Sequence, residues 1–434
     1  MLSTEDNELL SRVGPGTPMG ALIRRYWIPA CLSTELPTPD SDPLRVRLLG
    51  ENLIAFRDTN GQVGLLGNHC PHRGASLFFG RNEEAGLRCV YHGWKFDVTG
   101  QCVDMPNEPA ESNFKSKVRA TAYPTHESGG VVWTYMGPPD KQLPFRDFGC
   151  DSLPQEQWRA AKTHSSCNWV QAMEGNLDTV HISFLHRNLD DKDTPDDGTD
   201  QPGYPTVQQS ARLRSIAKQP HLEVLDTPYG YRYAGIRETP NGNSHVRMTV
   251  FAMPFMTFVA ALPLGGGCGM FVPIDDENCW RYQVAMHASA GVAGAGRQAR
   301  PVPTAPSKVP GLNERMVFPE NDYLIDRELQ RTGNYTGILG VNQQDLAMTE
   351  SMGSIFDRST EHLGQTDLAI IRMRQQLIKA ARELAQGVEP PGLDPTYPYQ
   401  DIRSSEKILA PGEHWGAMAT MDDPTFADAV AMPR

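Results

Sequence analysis

"NHCPHRG" occupies residues 68–74 and "RCVYHGW" residues 88–94. Each short turn carries one cysteine and one histidine: Cys70 with His72, then Cys89 with His92. The whole chain has 8 cysteines and 12 histidines in 434 residues, so chance is a weak account of this clustering. Two cysteines and two histidines could hold a structural zinc ion. Zinc sites, however, usually pair cysteine with cysteine and histidine with histidine along the chain. Here each turn holds one of each kind.

The mixed pattern suits a [2Fe–2S] cluster in which two histidines replace two cysteines on one of the irons, the Rieske arrangement. One iron would take Cys70 and Cys89, the other His72 and His92. Pro71 stiffens the first turn, and Gly74 and Gly93 allow close backbone approach. Zinc stays the competing occupant.

Composition bounds the rest. A chain of 434 residues, 39% hydrophobic, can bury a sizeable core and is expected to form two domains. The formal net charge of −12 and the absence of a long basic run argue against nucleic acid and anionic membrane as partners. The opening residues show no basic segment leading into an apolar one, so no secretory signal is read there. The most apolar stretch, "FAMPFMTFVAALPL", is too short and too proline-broken to span a bilayer. The cysteines outside the two turns have no disulfide-like spacing. A soluble cytoplasmic protein is the expectation.

Residues 45–100 read as short strands broken at Gly50-Glu51-Asn52, at Asn60-Gly61 and at Thr99-Gly100, the second a strong hairpin signal. The two Cys/His loops would sit at the ends of such hairpins. Beyond residue 150 the pattern turns helical, then strand-like, then helical again. Residues 189–200 ("LDDKDTPDDGTD") read as an acidic surface loop, and residues 289–311 as a second long loop. The clearest helix spans 366–387, with Ile370, Ile371, Leu377, Ile378, Ala381, Leu384 and Ala385 on one face and Gly387 at its end.

A second constellation lies in "CNWVQAMEGNLDTVHISFLH", residues 167–186. On a helix, Trp169, Met173, Leu177, Val180 and Phe184 form an apolar stripe. Glu174, Asp178 and His181 run beside it and are costly to bury unpaired. His186 lies about 140° around a regular helix from His181, so the helix is expected to distort or end between them. Two histidines and one carboxylate can hold iron(II) by one face and leave positions open. Asp345 in "NQQDLAMTESMGSIFDRS" (342–359) supplies a candidate, sharing a helical stripe with Met348, Met352, Ile355 and Phe356, from which Glu350 and Asp357 point away. Its plain reading is a helix N-cap, and that of the two histidines is core packing.

Taken together, Cys70-Pro-His72-Arg73-Gly74, Cys89-Val-Tyr-His92-Gly93-Trp94, Asn168-Trp169 with Glu174, Asp178, His181 and His186, and the "NQQDLAMTESMGSIFDRSTEHLG" segment resemble the oxygenase component of Rieske non-haem iron oxygenases, phthalate dioxygenase group. The resemblance runs over nearly the whole chain. It implies an α+β fold: an N-terminal all-β Rieske domain (1–150, with an N-terminal helix) and a C-terminal catalytic domain (151–434) with a central antiparallel sheet surrounded by helices. It implies a Rieske [2Fe–2S] cluster on Cys70, His72, Cys89 and His92, and mononuclear Fe(II) on His181, His186 and Asp345. Electrons would come from NAD(P)H through a separate reductase with FMN and its own [2Fe–2S] centre. It also implies a homotrimer or stacked trimers (a hexamer), in which Asp178 joins His181 to the cluster histidine, His92, of the adjacent subunit.

Members of this group commonly hold aromatic carboxylates with arginines. Arg247, alternating with Thr249, Phe251 and Met253 in "SHVRMTVFAMP", fits a pocket wall, and equally a strand arginine paired with a glutamate. Arg212, Arg214 and Lys218 are near in sequence, with no motif to place them. Three functions follow: a ring dioxygenase forming a cis-dihydrodiol from an aromatic carboxylate and O2, a monooxygenase or O-demethylase of an aryl ether acid, and a Rieske electron carrier or zinc scaffold without catalysis.

Overall fold

The computed structural model describes residues 1–109, 111–150, 154, 158–193, 200–260, 267–286, 304–305, 312–315 and 317–418. The N-terminal part is built of three small sheets. Trp27–Leu32 pairs with Val131–Tyr135, which pairs with Thr125–Ser128. Leu44–Leu48, Glu51–Arg57, Val63–Gly67 and Ala122–Tyr123 form the second. Arg81–Glu83, Gly86–Arg88, Lys95–Phe96 and Cys102–Asp104 form the third, which carries the second Cys/His turn.

The turns expected at Asn60-Gly61 and Thr99-Gly100 are present, while the break expected at Gly50-Glu51-Asn52 falls at Leu49-Gly50, Glu51 and Asn52 being paired in the strand. Leu49 and Gly50 both take positive φ (49° and 79°), as a tight two-residue hairpin requires. At the next turn Gly61 has φ 81°, and the Asp58 carboxylate accepts the N–H groups of Asn60 and Gln62. Asp97 does the same for Thr99 and Gln101 ahead of Gly100. These hairpins close over Ile54, Phe56, Leu66, Leu77, Leu87, Trp94 and Phe96, a core that includes Cys70 and Cys89.

The C-terminal part is organised by one large sheet. Its order is His221–Thr227, Gly230–Glu238, Ser244–Ala252, Met256–Phe258, Gly267–Pro273, Cys279–Met286, Trp158–Ser165, Leu312–Arg315 and Thr304–Ala305, with Ser405–Leu409 also paired to Ser244–Ala252. All these pairings are antiparallel except that of Trp158–Ser165 with Leu312–Arg315. Among the described residues the helices are α1 (Thr4–Ser11), α2 (Pro18–Ile23), α3 (Trp169–Leu177), α4 (Val207–Ile216), α5 (Arg327–Thr332), α6 (Val341–Ser351) and α7 (Leu368–Leu384). α3 lies against Gly267–Pro273 and Cys279–Met286, and α6 packs on α3. α1 and α2, grouped by sequence with the first 150 residues, rest on α7. The division expected at residue 150 runs into residues 151–153, outside the described ones.

α7 is shorter than the expected 366–387 and buries Ile370, Leu377, Ile378 and Ala381 of its expected face, while Ile371 and Leu384 are half-buried and Ala385 is exposed; the chain turns at Gly387 with φ 87°. Its core also takes Arg374, which sequence placed nowhere, because Glu174 and Glu361 meet it. The acidic stretch 189–200 is anchored where it is described. Asp191 and Asp200 are buried, and Asp200 accepts from Arg212 Nη1 at 3.1 Å. The loop expected over 289–311 lies outside the described residues apart from the two-residue strand Thr304–Ala305. Among the described residues no helix is long and apolar enough to cross a membrane.

Candidate metal centres

The two Cys/His turns are built alike. In the first, Cys70 N–H donates to Ala75 O and Gly74 N–H returns to Cys70 O; in the second, Cys89 N–H donates to Trp94 O and Gly93 N–H to Cys89 O. Gly74 and Gly93 take φ of 78° and 81° to close the loops, a conformation with little penalty only for glycine. A Cβ on Gly93 would also lie 2.7 Å from Pro106 Cγ. The His72 and His92 rings meet edge to face with centroids 4.4 Å apart, and His72 stacks on Trp94 at 4.2 Å. Cys70 and Cys89 are buried beneath them.

Two features of this nest fit an iron–sulfur cluster. His72 Nδ1 is buried and has no hydrogen-bond partner. Burial, then the neighbouring Cys89, pushes the Cys70 thiol up to about 11, so a thiolate there needs a cation beside it.

The second centre forms where α3 stops. The helix ends at Leu177, earlier than the expected break between His181 and His186, and Asp178 caps it with extended backbone. The cause is Asp178 itself: its Oδ1 accepts from Val180 N–H at 2.6 Å and its Oδ2 from His181 N–H at 3.3 Å. A 3₁₀ turn, His181–Ser183, follows. Val180 and Phe184 therefore leave the apolar stripe, and Phe184 is exposed. Arg237 holds this turn from the sheet, donating through Nη2 to Thr179 O at 3.0 Å.

Ending the helix brings the histidines together. His181 Nε2 and His186 Nε2 are 3.0 Å apart, and Asp345 Oδ1 lies 3.7 and 3.1 Å from them. Asp345 is not an N-cap. Gly340 holds that position, and Asp345 is buried one turn into α6. The stripe read through Met348 and Met352 also differs: both are exposed, while Glu350 is buried, accepting from Tyr323 O–H and Ser166 N–H.

Each imidazole is oriented through its other nitrogen. His181 Nδ1 faces Asp178 Oδ2 at 3.3 Å, and His186 Nδ1 faces Gln344 Oε1 at 2.7 Å. Gln344 is itself fixed, donating through Nε2 to Ile338 O. Both Nε2 atoms are thus turned toward the carboxylate, the arrangement outer partners impose on metal-bound histidines. Two imidazole nitrogens and a carboxylate oxygen, all within 4.8 Å of one another, fit a divalent metal. Sequence reasoning missed Gln344, although it immediately precedes Asp345.

Glu174 is half-buried, its side chain 15% exposed, and takes both Arg358 and Arg374. Burial would raise its pKa, but the two guanidiniums outweigh that and hold it below the usual carboxylate range. Gln171 ties α3 to the end of α6, donating to Thr349 O and Gly353 O. A cavity of about 660 Å³ opens over Asp178, His181 and Asp345, with Phe184, Met348 and Met352 in its wall.

Arg247 lies on the sheet, buried, with Nη1 2.8 Å from Glu406 Oε2 and Nη2 donating to Ala260 O. The structure brings two further arginines beside it that sequence could not place. Burial, then Arg247, pushes Arg214 down to about 10 and Arg237 down to about 9. His245 shares Glu406 with Arg247. Arg212 and Lys218 are engaged elsewhere, with Asp200 and over the Phe184 ring.

The fold and the two centres define a Rieske-type oxygenase subunit, and comparison with known proteins agrees. Residues 26–123 match the model of the Rieske [2Fe–2S] domain, and residues 134–430 that described as "LigXa C-terminal domain like". The chain is 39% identical to the 3-chlorobenzoate-3,4-dioxygenase oxygenase subunit of Comamonas testosteroni, over 96% of this chain and 97% of that one. It is 40% identical to the phthalate 4,5-dioxygenase oxygenase subunit of Pseudomonas putida, over 89% and 88%. In fold it is similar to a crystal structure of dicamba monooxygenase bound to dicamba, with TM-score 0.58, 18% identity, and 84% and 99% of the two chains covered. The chain belongs to the Rieske non-haem iron oxygenases, in the group of the phthalate and chlorobenzoate dioxygenase oxygenase subunits. Its cofactors are accordingly a Rieske [2Fe–2S] cluster and a mononuclear iron.

Proposed function

We propose that this chain is the oxygenase component of a ring-hydroxylating dioxygenase that converts an aromatic carboxylate to a cis-dihydrodiol. The observation that carries the reading is the convergence of His181, His186 and Asp345, from the turn after α3 and from α6, beside a cavity of about 660 Å³. Relatives named for phthalate and 3-chlorobenzoate dioxygenation support the substrate class.

In this reading Cys70 and Cys89 hold one iron of the cluster, His72 and His92 the other, and His181, His186 and Asp345 hold the mononuclear iron. When bound, the cluster supplies electrons and the mononuclear iron activates dioxygen. The chain's own residues position and exclude. Asp178 and Gln344 keep the imidazoles turned so that both Nε2 lone pairs face Asp345. Arg247, with Arg214 and Arg237 beside it, anchors the carboxylate of the substrate. Among the described residues Arg214, Arg237 and Arg247 crowd about Glu406, each lowering the charge tolerance of the next in a poorly solvated place, a setting that suits an anion.

Electrons reach the cluster from NAD(P)H through a separate reductase. The chain works as a trimer or stacked trimers, Asp178 lying between His181 and His92 of the partner subunit. Supporting this, Asp178 opens onto the cavity whose wall exposes Phe184, Met348 and Met352, while the cluster domain exposes Phe79, Val90 and Tyr91. All eight cysteines are buried and none forms a disulfide, which suits the cytoplasm.

The test is to assay iron, sulfide and zinc in protein purified anaerobically, and then to turn it over with a reductase, NADH, oxygen and a panel of phthalates, halobenzoates and methoxybenzoates. A cis-dihydrodiol by mass is the expected product, and a demethylated acid would replace dihydroxylation by O-demethylation. Asp345→Ala should abolish substrate-dependent turnover while leaving the cluster spectrum intact. Turnover at the wild-type rate would remove Asp345 from the centre.

A further inference from the structure

Asp345 uses its two oxygens differently. Oδ1 faces the two histidine Nε2 atoms, while Oδ2 faces Arg281 Nη2 at 3.9 Å. Arg281 rises from the strand Cys279–Met286, is 8% exposed, and lies with its Cζ 5.5 Å from the Phe271 ring centroid. Its Nη1 is buried without a hydrogen-bond partner, and among the described residues Asp345 is its ion-pair partner. The nearby Glu350 is already occupied by Ser166 N–H and Tyr323 O–H. A guanidinium kept this dry against one carboxylate oxygen is an expensive arrangement for stability alone, since desolvation offsets much of the attraction.

We infer that Arg281 is a positioning residue: it holds Asp345 Oδ2 away from the point where Oδ1 and the two Nε2 atoms converge. This rests on the metal reading of His181, His186 and Asp345. A carboxylate can bind a metal through one oxygen or both. With Oδ2 drawn toward the Arg281 charge, Asp345 would offer a metal Oδ1 alone, which would leave one more position open to small molecules. Arg281 also opposes the metal's charge. Removing it should therefore tighten metal binding, whereas loss of a purely structural side chain should loosen it.

The experiment uses the full-length protein with its cluster oxidised, the mononuclear site emptied by chelation and refilled with Co(II). Cobalt affinity is measured by competition, and the cobalt K-edge absorption, separate from that of iron, reports the coordinating oxygens. Arg281→Met should bind Co(II) about tenfold more tightly, the scale on which outer partners tune a site. It should also gain an oxygen neighbour and lose pre-edge intensity, while Arg281→Lys keeps the wild-type edge. Arg281→Gln serves as a second neutral variant if the methionine variant does not fold. Unchanged affinity and edge, or weaker binding in the neutral variants, would overturn the inference. Asp345→Ala separates the two readings: if it binds Co(II) like wild type, the metal centre itself is wrongly placed, whatever Arg281 does.

Discussion

Glu174 shows what a desolvated charge needs in this fold. It sits four residues before Asp178, largely out of water, and is tolerable because Arg358 and Arg374 reach it from two other segments. Arg358 also donates to Asn7 Oδ1, so one carboxylate ties α3, α7 and the N-terminal helix together. Glu174→Gln leaves two buried guanidiniums under-neutralised and should destabilise the protein by about 3 kcal/mol in urea unfolding. The pH dependence has a definite sign. A native pKa below the ordinary 4.5 means that the stabilisation is present above pH 4.5 and is lost as pH falls from there through the depressed native value. Wild type should accordingly lose stability faster than Glu174→Gln on acidification below pH 4.5. Parallel pH profiles would show that the pair contributes nothing.

At the scale of elements, two kinds of chain end build the centres. The cluster turns close because glycine accepts positive φ at Gly74 and Gly93, and the iron turn opens because Asp178 captures the N–H groups of Val180 and His181 and stops α3. Gly93→Ala places a Cβ against Pro106 in a left-handed conformation and should lose the visible absorption of the cluster during purification. Gly61→Ala has the same φ but open space around it, so it should cost about 1 kcal/mol and keep the cluster. Equal cluster loss in both variants would mean that general instability, not the loop, governs loading. The early end of α3 was hidden in the sequence. The apolar period runs on through Val180 and Phe184, and periodicity cannot show that an aspartate carboxylate competes for the backbone.

For the whole molecule, the decisive matter is where electrons cross. The proposed assembly puts the cluster of one subunit beside the iron of the next, through Asp178. Mixed trimers of a Cys89→Ser chain, without cluster, and an Asp345→Ala chain, without mononuclear iron, should then recover part of the activity that neither homotrimer has. No recovery in mixed trimers verified by mass would place the transfer within one chain.

The sequence by itself determined the local chemistry. The two Cys/His turns and the hairpins at Gly61 and Gly100 follow from residue types at short spacing. The first hairpin turns one residue early, at Leu49-Gly50, α7 is shorter than its pattern, and Asp178 and His181 meet off the helix that the pattern predicts for them. Only tertiary structure decided what meets across the chain. Gln344 reaches His186 over 158 residues, Arg374 reaches Glu174 over 200, and Arg214 and Arg237 gather about Arg247 and Glu406. Backbone hydrogen bonds and φ preferences act within a few residues and leave a signature in sequence. Charge pairing in a desolvated interior depends on which strands and helices the sheet brings face to face, and that order is set by the packing of the whole chain.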